Sequence, residues 1–165
     1  RYGHQYTLMG NTQCACGAVK PVTNVTVVAK GTINHTVEGQ IVTVTHTAAC
    51  KVGYLKDGKY VTTDIVKTKI SDNCYSFTVP EGVTEVLLVV KGDVNGNGSV
   101  NVLDKNALGK SLLPSTNGNY KALTEDWQIF AADVNGMSGV NILDKNALGK
   151  SLLPPSNANY KALTW

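Results

Sequence analysis

Several things are scarce in this 165-residue chain. No apolar run approaches the roughly 18–20 residues that a membrane-spanning helix needs. Neither sign of charge dominates: residues 1–91 hold nine Lys/Arg against six Asp/Glu, and residues 92–165 hold six of each. Such a balance does not argue for nucleic acid or a membrane surface as partner. Aromatic residues are few, and both tryptophans fall in the second half. That leaves Tyr2, Tyr6, Tyr54, Tyr60 and Tyr75 as a thin platform for sugar rings in the first half. No paired-carboxylate cleft, nucleophile triad or phosphate loop can be read, so an enzyme finds no support. His4, His35 and His46 are scattered without an acid or nucleophile at a readable spacing. The chain opens on Arg1 with no leader-like segment, and reads as a mature or excised segment.

Cysteine is missing from residues 92–165 and concentrated before them, at Cys14, Cys16, Cys50 and Cys74. Cys14 and Cys16 would point to the same side of a strand and are poorly placed to bridge each other. Pairing either of them with Cys50 or Cys74 gives two possible disulfide sets. Zinc or free thiols compete, although there is no C-x-x-C and no spaced His pair. Disulfides would place the protein outside the cell.

Residues 1–91 read as a small β module. Val25 to Ala29 and Ile41 to Thr47 alternate apolar and polar residues. Lys56-Asp57-Gly58-Lys59 between two such runs is a hairpin signal. Tyr75 to Val79 and Val83 to Val90 add strands around the turn Pro80-Glu81-Gly82. Six or seven short strands predict an Ig-like all-β sandwich.

Residues 92–165 contain a repeat 40 positions apart. Asp93-Val94-Asn95-Gly96 and Asn101 through Pro114 return as Asp133-Val134-Asn135-Gly136 and Asn141 through Pro154. The tail Asn119-Tyr120-Lys121-Ala122-Leu123-Thr124 returns at 159–164. Each copy carries oxygen donors at the spacing of a twelve-residue calcium loop that feeds a helix. In the first, Asp93, Asn95, Asn97, Asn101 and Asp104 hold positions 1, 3, 5, 9 and 12. Ser99 offers its carbonyl at position 7, and Gly98 makes the sharp turn at position 6. In the second, Asp133, Asn135, Asn141 and Asp144 match, with Gly139 at position 7. Met137 falls at position 5, and a thioether is a poor ligand for a hard cation. A water or Ser138 would have to replace it. The expectation is two calcium ions, the second held less tightly.

The helix after each loop is apolar on two separate faces. Leu108 and Leu112 suit packing with Val100. Val102, Leu103, Asn106, Gly109, Lys110 and Leu113 form another stripe, repeated as Ile142, Leu143, Asn146, Gly149, Lys150 and Leu153. Glycine inside a helix costs about 1 kcal/mol relative to alanine, which suggests a close approach. We read this stripe as a surface for another protein. The competing reading packs it on Tyr120, Trp127, Ile129, Phe130 or Trp165.

These residues, from Gly92 to about Leu153, resemble a dockerin, the module that plugs secreted proteins of cellulosome-like and amylosome-like systems into cohesins on scaffoldins. The resemblance rests on the duplicated loop and its following helix. It implies a C-terminal all-α domain (92–165) with two EF-hand-like calcium loop-helix motifs, after an N-terminal β-sandwich (1–91) that resembles the X or Ig-like modules preceding some dockerins. It further implies a noncatalytic docking role, a secreted bacterial protein and a monomer before binding. Cohesin contacts would come from Val102 and Leu103 with Gly109 and Lys110, and from Ile142 and Leu143 with Gly149 and Lys150. Many dockerins have Ser-Thr at the first pair, so apolar pairs imply a more hydrophobic specificity. Lys105 and Lys145 also depart from the family, which often has an apolar residue there. The internal symmetry predicts two binding orientations. The alternative is a calcium-stabilised structural module whose β half binds carbohydrate.

Overall fold

The computed structural model describes residues 23–137 and 139–165. Strands come first: β1 (Thr26–Ala29), β2 (Asn34–Glu38), β3 (Ile41–Thr45), β4 (Cys50–Lys56), β5 (Lys59–Val61), β6 (Val66–Ser71), β7 (Cys74–Thr78) and β8 (Glu85–Val90). Three helices follow: α1 (Val102–Ser111), α2 (Asp126–Ala132) and α3 (Ile142–Ser151). The strands form two four-stranded sheets, β1-β8-β4-β5 and β2-β3-β7-β6. β1 runs parallel to β8, and the other pairings are antiparallel. Val42, Val44 and Phe77 of one sheet meet Val52, Val86, Leu88 and Val90 of the other in one buried cluster. The β4–β5 hairpin turns at Asp57 and Gly58, both with positive φ, as the Asp-Gly pair demands.

The expectation of an all-α C-terminal domain with two EF-hand-like motifs does not hold. Strand outweighs helix among the described residues, and the helices span only 10, 7 and 10 residues. No helix enters the first loop; β8 runs into it through Lys91 and Gly92. Long stretches of the C-terminal half are irregular because Leu113-Pro114 and Leu153-Pro154 end the helices. That half has a small core of its own, Leu108 and Leu148 with Val94 and Ala132, and it also packs on the sandwich through β8. β8 is buried on both sides: Val86, Leu88 and Val90 face the sandwich, while Leu87 and Val89 pack on Phe130 and Ala131 of α2. This explains the uninterrupted apolar run of β8, since a strand covered on both faces loses its alternation. Trp165 returns to the sandwich, stacked on Tyr75 at 4.6 Å between centroids.

Lysines of the β half fasten this seam. Lys51, nearly fully buried in β4, donates to the carbonyls of Phe130 (2.8 Å) and Asp133 (2.9 Å) and lies over the Phe130 ring. It thereby caps the C-terminal end of α2, where a cation is favoured. Lys91 and Lys67 donate to the carbonyls of Thr164 and Trp165.

Among the described residues Cys50 and Cys74 form no disulfide, and Cys14 and Cys16, the partners expected for them, lie outside the described residues. Cys50 sits within the sandwich core, and burial pushes its thiol up to about 12.

Candidate calcium loops and docking surface

Backbone hydrogen bonds build each loop around its two carboxylates. In the first, Asp93 accepts from the amides of Gly96 (3.0 Å), Asn97 (3.2 Å) and Gly98 (2.7 Å). Asp104 accepts from Val94 (2.9 Å) and Asn95 (3.2 Å) through Oδ1 and from Asn101 (2.9 Å) through Oδ2. Asn101 is also the N-cap of α1, receiving the Leu103 amide at 2.8 Å. Position 9 therefore starts the helix and position 12 closes its capping box, two tasks on residues already spaced for a metal.

The second loop repeats this pattern. Asp144 accepts from Asn135 (3.2 Å) and Asn141 (2.9 Å), and Asn141 caps α3 by receiving the Leu143 amide. Asp133 differs. Its Oδ1 is buried and has no hydrogen-bond partner among the described residues. Met137 projects into solvent, and Ser138 lies outside the described residues.

Charge in both loops is uncompensated. Asp93 has its pKa raised, first by burial and then by the facing charge of Asp104, against the pull of the three amides. Asp144 is likewise raised by burial and, after opposing hydrogen bonds, by Asp133. An all-oxygen donor set with facing carboxylates and an orphaned buried oxygen fits a hard cation such as calcium. Asp93, Asn95, Asn97, Asn101, Asp104 and the Ser99 carbonyl would hold it in the first loop. Asp133, Asn135, Asn141, Asp144 and the Gly139 carbonyl would hold it in the second. Calcium there would supply the positive charge that both carboxylate pairs lack.

The helices display the apolar stripe unevenly. Val102 and Leu103 are 57% and 61% exposed, and Ile142 and Leu143 are 53% and 58% exposed. Asn106, Lys110, Asn146 and Lys150 are exposed as well, while Leu113 and Leu153 are half-buried. The opposite face supplies Leu108 and Leu148, fully buried with Val94 and Ala132. A groove lined by Val100, Asn101, Val102 and Lys105 of the first repeat and Gly149, Leu152 and Leu153 of the second opens beside this display.

Gly109 and Gly149 have an internal use that the sequence reading missed. A Cβ on Gly109 would lie 3.3 Å from Cε of Lys145, and one on Gly149 would lie 3.3 Å from Cε of Lys105. Each helix lays the lysine of its first turn across the glycine of its twin's last turn. The pairing makes α1 and α3 antiparallel neighbours and accounts for Lys105 and Lys145, the departures noted above. Leaving out a methyl group at each glycine makes room for the lysine stem, which covers apolar surface while its ammonium stays in water.

Residues 91–153 match the family model of the dockerin type I domain. This segment is a dockerin domain. Dockerin domains are noncatalytic docking modules for cohesins, known from cellulosomes, and are generally calcium-binding. No curated protein matches the chain. No solved structure matches it either. Among the described residues, no helix is long and apolar enough to cross a membrane.

The seam predicts a pH response. Burial lowers Lys51 and Lys91 from 10.5 to about 8, with Lys67 adding repulsion on Lys91. For a lysine depressed in the folded state, the penalty on the charged form is complete below pH 8 and lifts as pH rises toward 10.5. Cys50, raised from 9.0 to about 12, opposes this above pH 9, because the unfolded thiol loses its proton first. Stability at saturating calcium should therefore rise above pH 8, crest at roughly pH 10 and then fall. Urea midpoints measured across this range test it, and a curve falling steadily from pH 8 contradicts it.

Proposed function

We propose that the chain anchors its parent protein to a cohesin through either of two calcium-ordered helix starts. One presents Val102 and Leu103, the other Ile142 and Leu143. The observation that carries the reading is that these four residues stay exposed at matching positions of both repeats while Leu108 and Leu148 are buried. Capping by Asn101 with Asp104, and by Asn141 with Asp144, makes loop order and helix start one event. Each loop takes one calcium ion, and the second loop holds it less tightly because Met137 brings no oxygen. Near-identical faces support two docking orientations. The apolar pairs favour a cohesin with a hydrophobic contact surface. Residues 1–91 serve as an X-module-like support, and the protein works outside a bacterial cell. The seam argues for support over sugar binding: Tyr60 and Tyr75 are engaged by Phe130 and Trp165.

A panel of cohesins titrated against the chain, with and without a chelator, tests the reading. Capture by at least one cohesin in calcium, lost on chelation, is expected. Binding that ignores the chelator refutes the calcium dependence, and a pull-down on starch, cellulose or mannan that succeeds where every cohesin fails replaces docking with carbohydrate binding.

A further inference from the structure

The two loops match in sequence but not in surroundings. The first is gripped from both sides. The turn between β1 and β2 carries Gly31 with φ +92°, and Gly98 of the loop has φ +87°. The two backbones meet so closely that a Cβ on Gly31 would lie 2.4 Å from the Gly98 nitrogen and 2.5 Å from its Cα. On another side the ring of Trp127 from α2 covers Gly96, where a Cβ would fall 2.9 Å from Cη2. Lys30 of the same turn lies over that ring at 5.2 Å. Asp93 is fully buried beneath this arrangement. In the second loop Gly136, the counterpart of Gly96, is bare among the described residues: a Cβ there would meet nothing within 4 Å, while Ser138, the counterpart of Gly98, lies outside the described residues.

From this contrast we propose that Gly31 and Trp127 are positioning residues for the first calcium loop alone, so that packing from β1–β2 and α2 widens the gap in affinity between the loops. The proposal rests on the reading that both loops take calcium. Affinity in such loops follows ligand charge and site rigidity. Formal charge is equal, two aspartates in each. Rigidity differs, since the first loop is held before metal arrives and loses less freedom on binding. Met137 weakens the second loop from within; the grip strengthens the first from without. Only the latter depends on residues 30–32 and 127.

The test uses the full chain stripped of calcium and titrated with calcium chloride. The amide resonances of Gly98 and Gly139 report each loop separately, and calorimetry supplies the affinities. Gly98 should respond first in the parent chain, at about tenfold lower free calcium than Gly139. Gly31→Ala should weaken the first loop about fivefold or more and leave the second unchanged. Gly39→Ala is the control: it has the same kind of backbone, φ +60°, with nothing within 4 Å, and it should move neither loop. Should Gly31→Ala fail to fold, Trp127→Phe withdraws the ring edge from Gly96 while keeping an aromatic in place, and should weaken the first loop in the same direction. Equal shifts at both loops, or none at the first, overturn the inference and leave calcium binding intact. Uptake at neither loop overturns the calcium reading with it.

Discussion

Replacing Val102, Leu103, Ile142 and Leu143 together by alanine should reduce cohesin affinity about a hundredfold or more, because a docking face that loses its central apolar anchors loses most of its binding energy. Changing Val102 and Leu103 alone, or Ile142 and Leu143 alone, should cost only about twofold. That is the statistical factor for losing one of two equivalent orientations, about 0.4 kcal/mol. Fold stability should hardly change, since all four side chains are more than half exposed and surface truncations fall within about 0.5 kcal/mol. Calorimetry with a cohesin found by the panel measures the affinities, and thermal melts check the fold. Complete loss of binding in either pair variant eliminates the dual orientation. Full retention in the four-residue variant moves the docking face elsewhere.

The second large effect is on stability. Removal of calcium should lower the melting temperature by at least about 8 °C. At a thousandfold excess over its dissociation constant a bound ion contributes about 4 kcal/mol, and in a chain of this length 1 kcal/mol shifts the midpoint by about 2–4 °C. The structural cause is the facing pairs, Asp93 with Asp104 and Asp133 with Asp144, left to repel each other where Asp93, Asp104 and Asp144 are buried and Asp133 is half-buried. Asp104→Ala should be worse than chelation at the first loop. It deletes a carboxylate and also strands the amides of Val94, Asn95 and Asn101. A scanning calorimetry trace unmoved by chelator would show that the loops hold themselves together without metal.

Much of this was legible because duplication writes a pattern twice. The loop residues, the helix starts and the exposed apolar pairs all follow from spacing and from Asn and Asp at positions that cap and ligate. The Asp57-Gly58 hairpin was equally plain. What escaped has physical reasons. β2 and β6 lie at sheet edges with nearly every residue exposed, so no buried face imposed an alternation on them. α2 has seven residues and rests on β8, which makes its apolar side depend on a strand about 40 positions away. Lys51, Phe130 and Trp165 act across the boundary that composition draws at residue 91, and contacts between residues so far apart in sequence leave no periodic signal. Gly109 and Gly149 were rightly singled out for a close approach, yet the approaching group comes from within the molecule.

That reciprocal fit between Lys105 with Gly149 and Lys145 with Gly109 constrains how the chain can change over generations. A bulkier residue in place of one glycine obliges the opposing lysine stem, in the other copy, to give by a few tenths of an ångström. A change in either copy of the duplication is thus felt by the other, and their mutual fit favours likeness between them alongside whatever receptor they serve.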